Sequence, residues 1–230
     1  MKDKIFYLIL CFLSVAALVT IVTFSLNKKS DQKQRRGAPI PIDTLLSGDI
    51  NQTGPKDSKA ILVGFEDFQC PACKSVQEDL KTLKTDYPDL NFVFKHNPLT
   101  NIHPYAYNAA VASEAAAVQG KFWEYHDVLF EKQTNNISKA DFIQFAKDLG
   151  LDEKKFEKDL DSEVLKTKVD DAVKFARENF ITGTPTFYLN GEAVSSLRAV
   201  AEKLKEIYPE VAKKLEKAQE DSKKENEESN

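Results

Sequence analysis

The chain has 230 residues, of which 42% are hydrophobic and 30% charged, with a net charge of -4. That leaves room for one good-sized domain of ordinary soluble composition, with appendages at its ends. No basic stripe crosses the domain, so nucleic acid is not implied as a partner.

Taken in order, the chain opens on Lys2-Asp3-Lys4 and then runs without a charge over residues 5–26. That is about the length needed to cross a bilayer as a helix. A cleaved secretory signal is the alternative, but its apolar region is shorter and ends in an Ala-x-Ala-like site, of which Thr23-Phe24-Ser25 is a poor version. A lipoprotein reading through Cys11 fails because Leu10 is too bulky before a lipidated cysteine and the apolar run continues past it. Residues 1–27 are therefore expected to be an uncleaved single-pass membrane anchor. Lys28, Lys29, Lys33, Arg35 and Arg36 outnumber Lys2 and Lys4, which by the positive-inside rule alone would keep the domain in the cytoplasm. Long domains translocate despite such counts, and a chain with a dithiol and no other cysteines in its domain suits an oxidising compartment. The expected location is the outer side of the cell membrane.

Residues 28–58 are polar and punctuated by Gly37, Pro39, Pro41, Gly48, Gly54 and Pro55. They read as a linker, with a short edge strand near residues 38–42. The domain proper is expected over 59–208. Residues 60–65 form a short apolar run with β-branched residues, a buried strand. A helix follows, with Val76, Leu80 and Leu83 on its inner face and Tyr87-Pro88-Asp89 at its end. Residues 90–95 make a second strand, and strand, helix, strand at this spacing is a parallel unit. A helical region spans about 103–180. It includes an alanine-rich helix over 103–119, a capping-box signal at Ser138 and Asp141, and a helix capped by Asp152. Thr186 to Leu189 is a strand, Asn190-Gly191 a tight hairpin turn, and Leu197, Val200, Leu204 and Ile207 stripe a last helix. Residues 209–230 have no apolar stripe and read as a charged, fraying tail.

The chemistry concentrates at Cys70-Pro71-Ala72-Cys73, where the first strand gives way to a helix. Pro71 suits the first helical position, so Cys70 falls at about the N-cap. There the unpaired backbone N–H groups and the helix dipole favour an anion, and Cys70 is the expected nucleophile. Cys73 lies one turn further on, more buried, placed to close and reopen a disulfide with it. The chain has three cysteines, and Cys11 lies in the apolar N-terminal segment. No cysteine is left for a structural disulfide in the domain. The site needs no cofactor beyond the cysteine pair.

The Phe65-x-Asp67-Phe68-x-Cys70-Pro71-x-Cys73 pattern resembles that of the DsbA-like thiol-disulfide oxidoreductases, in particular membrane-anchored and secreted bacterial members. His96-Asn97-Pro98-Leu99 with His103-Pro104, the run from Gly120 to His126, and the run from Gly183 to Gly191 match as well, so the resemblance covers about residues 58–208. It implies an α/β thioredoxin fold with an inserted helical subdomain. It also implies a cis Pro185 facing the dithiol and a Thr184 backbone that pairs with an extended substrate. The Thr184 hydroxyl could touch the Cys70 sulfur. Substrates would be extracytoplasmic proteins with cysteines, and a membrane redox partner would recycle the dithiol. Two positions depart from the family. Its buried carboxylate six residues before the first cysteine is Gly64 here; Glu66 and Asp67 are the candidate substitutes, and in a strand only one of them could face the site. Ala72 stands where strong oxidants carry His, which should leave the disulfide less oxidising.

The expected function is protein thiol-disulfide exchange, as an oxidase. The alternatives are a reductase or isomerase of the same fold, a tethered non-catalytic chaperone or binding module, or a zinc site using Cys70, Cys73 and two of His96, His103 and His126. The histidines do not have finger spacing, and His126 falls on an apolar helix face. Lys95 is either a solvated strand end or a positive charge near the thiolate.

Overall fold

The computed structural model describes residues 18, 20–23, 37–48 and 50–228. It divides the chain into two units, Met1–Ala38 and Pro39–Asn230. Most of the expected membrane anchor lies outside the described residues, and among those described no helix is long and apolar enough to cross a membrane. In the first unit, residues 20–23 are helical.

The second unit is built on a five-stranded sheet in the order β1-β3-β2-β4-β5. Its strands are β1 (Asn51–Thr53), β2 (Ile61–Glu66), β3 (Asn91–His96), β4 (Thr186–Leu189) and β5 (Glu192–Val194). β2 and β3 run parallel, and the other pairs run antiparallel. Alternation along β2 sends Leu62 to one face and Val63 and Phe65 to the other. Leu62 joins Phe92, Phe94, Phe187 and Leu189 in the larger core, while Val63 and Phe65 join Val93 and Tyr188 in the smaller one. Both faces are therefore covered, which is why β2 reads as a nearly unbroken apolar run.

Between β2 and β3 come α2 (Pro71–Ser75) and α3 (Gln77–Asp86), separated at Val76. Sequence periodicity had these as one helix. Five helices lie between β3 and β4: α4 (Ala106–Ala117), α5 (Phe122–Glu131), α6 (Lys139–Asp148), α7 (Glu153–Leu160) and α8 (Glu163–Glu178). The small side chains of α4 let it pack closely, and nine of its residues, from Ala106 to Ala116, are buried. It begins at Ala106 rather than at His103, whose ring is bonded to Asp67 instead. Ser138 and Asp141 form the expected capping box, and Asp152 accepts from Lys155 N. The fold closes with α9 (Leu197–Ile207) and α10 (Pro209–Glu228).

Three expectations need correction. Residues 38–42 form no strand: Ile42–Leu45 is a one-turn helix, α1, and Ile40 N donates to Gly191 O at 2.9 Å. Gly191 (φ +90°) is required there, because a Cβ would lie 2.6 Å from Ile40 O. The edge strand is instead β1, inside the stretch read as linker, and its polar Asn-Gln-Thr sequence carries no alternation to betray it. The tail is helical over most of its length. Pro209 opens α10, Ala212 is buried, and Val211 and Leu215 pack against the larger core.

Candidate dithiol site

Cys70 is the N-cap of α2, in extended conformation (φ -74°, ψ 120°), with Pro71 as the first helical residue. Pro71 has no N–H to leave unpaired there, so the turn from strand to helix is local chemistry. Gln133, just past α5, clamps the approach by donating to Phe68 O (2.8 Å) and Cys70 O (3.0 Å). Both cysteines are free. Cys70 keeps 6% of its surface exposed beside the exposed Pro71 and Ala72, whereas Cys73 keeps none.

The Cys70 sulfur accepts no cap hydrogen bond from the helix amides. It donates to Thr184 O at 3.4 Å, as a thiol with a proton to give does. The Thr184–Pro185 peptide is cis, and both residues are half-buried. The predicted site residues from the two ends of the domain thus meet. The Thr184 hydroxyl is turned differently from the expectation: it is buried beside Cys73, where it favours the thiolate without meeting hydrogen-bond geometry. Burial and the neighbouring Glu66 charge push the Cys73 thiol far up, against the Asp67 backbone N–H.

The substitution at Gly64 is resolved by packing. Residues 64 and 66 share a face of β2. A Cβ at 64 would lie 2.9 Å from the Phe187 ring, 3.0 Å from Glu66 Oε1 and 3.1 Å from the Phe92 ring. The carboxyl that residue 64 does not supply comes from Glu66 and folds back into that space. Glu66 is 1% exposed, and burial pushes it from 4.5 up to about 8 despite a 2.6 Å hydrogen bond from Gln77 Nε2. Its Oε1 is buried with no partner. Asp67 points elsewhere and organises the loop: Oδ1 accepts from Gln69 N (2.7 Å), and Oδ2 meets Leu99 N (2.8 Å) and His103 Nδ1 (2.7 Å). Gln77 and Gln133 were not legible in the sequence, since a glutamine on a helix or in a loop carries no positional signal.

Lys95 does not face the thiols. Its Nζ donates to Ser47 O at 3.0 Å and lies 4.6 Å from the Phe175 ring, and desolvation lowers it to about 8. The three histidines each meet a carboxylate: His96 with Glu114, His103 with Asp67, His126 with Asp127. His126 is a core residue among aromatic rings, 4.9 Å from that of Phe130.

The sheet and its connections are those of a thioredoxin fold, with a helical subdomain between β3 and β4. A sequence model of the family described as Thioredoxin matches residues 48–226, and the chain belongs to that family. The thiol-disulfide exchange protein α-DsbA2 of Wolbachia pipientis superposes with a TM-score of 0.65 at 19% identity, over 79% of this chain and 98% of that one. BdbD of Bacillus subtilis, in its oxidised form, gives 0.60 at 24% identity, over 77% and 97%. At these identities the likeness is one of fold. A curated relative, the Na(+)/H(+) antiporter NhaA 3 of Salinispora tropica, is 34% identical over 184 residues, 76% of this chain. The chain spans 28% of that relative's length.

Proposed function

We propose that this chain exchanges disulfides with cysteine-containing extracytoplasmic polypeptides through Cys70 and Cys73, working as an oxidase. The observation that carries the reading is the Cys70 thiol, 6% exposed beside the exposed Pro71 and Ala72 and 3.4 Å from the carbonyl of Thr184, with Cys73 fully buried one helical turn behind it. In the oxidised form a substrate thiolate attacks Cys70 Sγ, the intramolecular S–S bond breaks, and Cys73 leaves as a thiolate. A second substrate thiolate then attacks the substrate sulfur of the mixed disulfide and expels Cys70. Two electrons pass from the substrate pair to the enzyme pair.

Glu66 is placed to assist this step. Burial keeps it mostly protonated at neutral pH, so it can give its proton to the Cys73 thiolate as that leaves. The Thr184 backbone and Pro185 seat the client chain, and Pro71 and Ala72 form the exposed rim beside Cys70. No cofactor or metal is required, because the cysteine pair holds the electrons. The apolar segment near the N-terminus would tether the domain outside the membrane, close to a membrane redox partner that reoxidises it. Ion transport is not carried over from the antiporters, of which the chain covers so small a part.

The test is to mix the oxidised protein with reduced ribonuclease A and count free thiols. Loss of substrate thiols that disappears in Cys70→Ser supports the reading, and no thiol loss with the parent protein overturns it. The reduction potential of the pair against glutathione decides direction: a value near the thioredoxin end would make the protein a reductase.

A further inference from the structure

Cys73 has no exposed surface, yet in every cycle it must gain and lose a proton. Glu66, its acid neighbour, is buried as well. Glu66 Oε2 accepts a hydrogen bond from Gln77, whose side chain is only half-buried. The Gln77 amide nitrogen spends its donors on Glu66 Oε2 (2.6 Å) and Cys73 O (2.8 Å). The residue is half-buried and lines a groove of about 510 Å³ between α3 and α5. The break at Val76 puts it at the first position of α3, on the turn that follows Cys73.

We propose that Gln77 is a positioning residue that controls proton exchange between Cys73 and solvent, by holding Glu66 and opening it to the α3–α5 groove. The inference rests on the dithiol reading above. When Cys73 resolves a mixed disulfide at Cys70, its S–H proton passes to the Glu66 carboxylate and the thiolate attacks Cys70 Sγ. The bond from Cys70 to the partner sulfur breaks, the partner leaves as a thiolate, and the Glu66 proton departs through the groove. In the reverse step Glu66 returns a proton to Cys73 and is reloaded the same way. A donor aimed at Oε2 favours the ionised carboxyl, the form that accepts. The unpartnered Oε1 is left free for the proton.

Other charges do not supply this control. The groove walls carry three amines, Lys74, Lys81 and Lys84, and three acids, Glu78, Asp127 and Glu131, so the lining has no excess of either sign. His126, which also lines it, is held by Asp127. On the sheet side, His96 stands opposite Glu66 in register, but its Nε2 is engaged by Glu114 at 2.8 Å.

The experiment uses reduced protein with ¹³C-labelled glutamate carboxyls, alongside single-turnover release of glutathione from a Cys70–glutathione mixed disulfide. In Gln77→Leu the Glu66 midpoint should rise by about one pH unit, the scale of a hydrogen bond to a charged group. Glutathione release should slow about tenfold at neutral pH and recover at alkaline pH. In a folded Glu66→Gln background the same substitution should slow release no further. An unmoved Glu66 midpoint, or equal slowing with and without Glu66, would overturn the proposal. If the parent protein releases no glutathione at any pH, the dithiol reading fails, while the carboxyl titration still judges Gln77.

Discussion

Glu66 and Glu114 are equally buried, at 1% exposure each, and the protein treats them in opposite ways. Glu66, behind the dithiol, has one side-chain donor and an empty oxygen, and sits at about 8. Glu114, on α4, meets Asn51 Nδ2 (2.6 Å), His96 Nε2 (2.8 Å) and Lys168 Nζ (2.6 Å). Burial pushes it up too, but the His96 hydrogen bond and the charges of His96 and Lys168 outweigh that and bring it to about 2. Burial alone therefore does not decide a carboxyl's state; the number of donors turned toward it does. Glu114 is a fixed charge that ties the helical subdomain to β1, β3 and α8. Glu66 is left under-satisfied beside a thiol that needs a proton partner, where a polar group without partners is a reason to look for function.

The contrast can be broken most severely at Glu114. Glu114→Ala strands Lys168 and His96 and should cost about 3–5 kcal/mol in urea unfolding. Glu66→Gln removes no charge at neutral pH and should change stability by less than about 1 kcal/mol. A comparable loss in both would erase the distinction.

The next effect is on the pH dependence of stability. Glu66 binds a proton more tightly folded than unfolded, so its contribution is full below 4.5 and is lost as pH rises through about 8. Glu114 has the opposite sign: its contribution is present above 4.5 and lost as pH falls toward about 2. Denaturation midpoints across the pH range should therefore fall at both ends, and Glu66→Gln should flatten the alkaline side alone.

A smaller change sharpens the account of the displaced acid. Gly64→Ala puts a Cβ against Phe187, Phe92 and the Glu66 carboxylate, and should cost about 1–3 kcal/mol by overpacking while disturbing the Glu66 titration. Smallest of all is Lys95→Met. Its amine is buried on a backbone carbonyl and a ring, away from the thiols, so stability should change by less than about 1 kcal/mol and exchange rates should not change.

What could be read from the sequence was what local chemistry dictates. The Ser138–Asp141 box, the Asn190-Gly191 turn and the Cys-Pro step each act within a few residues, and each lies where its spacing puts it. β1 went unread because three polar residues become a strand only by pairing with β3. The helix α10 went unread because it rests on a few small contacts rather than a full apolar stripe. Within the site, Cys70, Thr184 and Pro185 were legible as candidates, and the structure brings the Cys70 thiol to the carbonyl of Thr184, next to the cis bond to Pro185. The sulfur's partner was not, since sequence pointed to helix amides and the thiol bonds a carbonyl. Which of Glu66 and Asp67 folds back beside Gly64 is decided by the space that glycine leaves and by the hydrogen bond from Gln77, and such choices are made by packing.

The most direct test is to compare mixed-disulfide trapping in Cys73→Ser and Cys70→Ser. With Cys73 replaced, Cys70, the cysteine of the pair that keeps some surface, should hold client polypeptides in stable mixed disulfides, visible by non-reducing electrophoresis and released by dithiothreitol. With Cys70 replaced, the buried Cys73 should hold few. Equal trapping by both variants, or trapping mainly through Cys73, would contradict the assignment of Cys70 as the nucleophile on which the account rests.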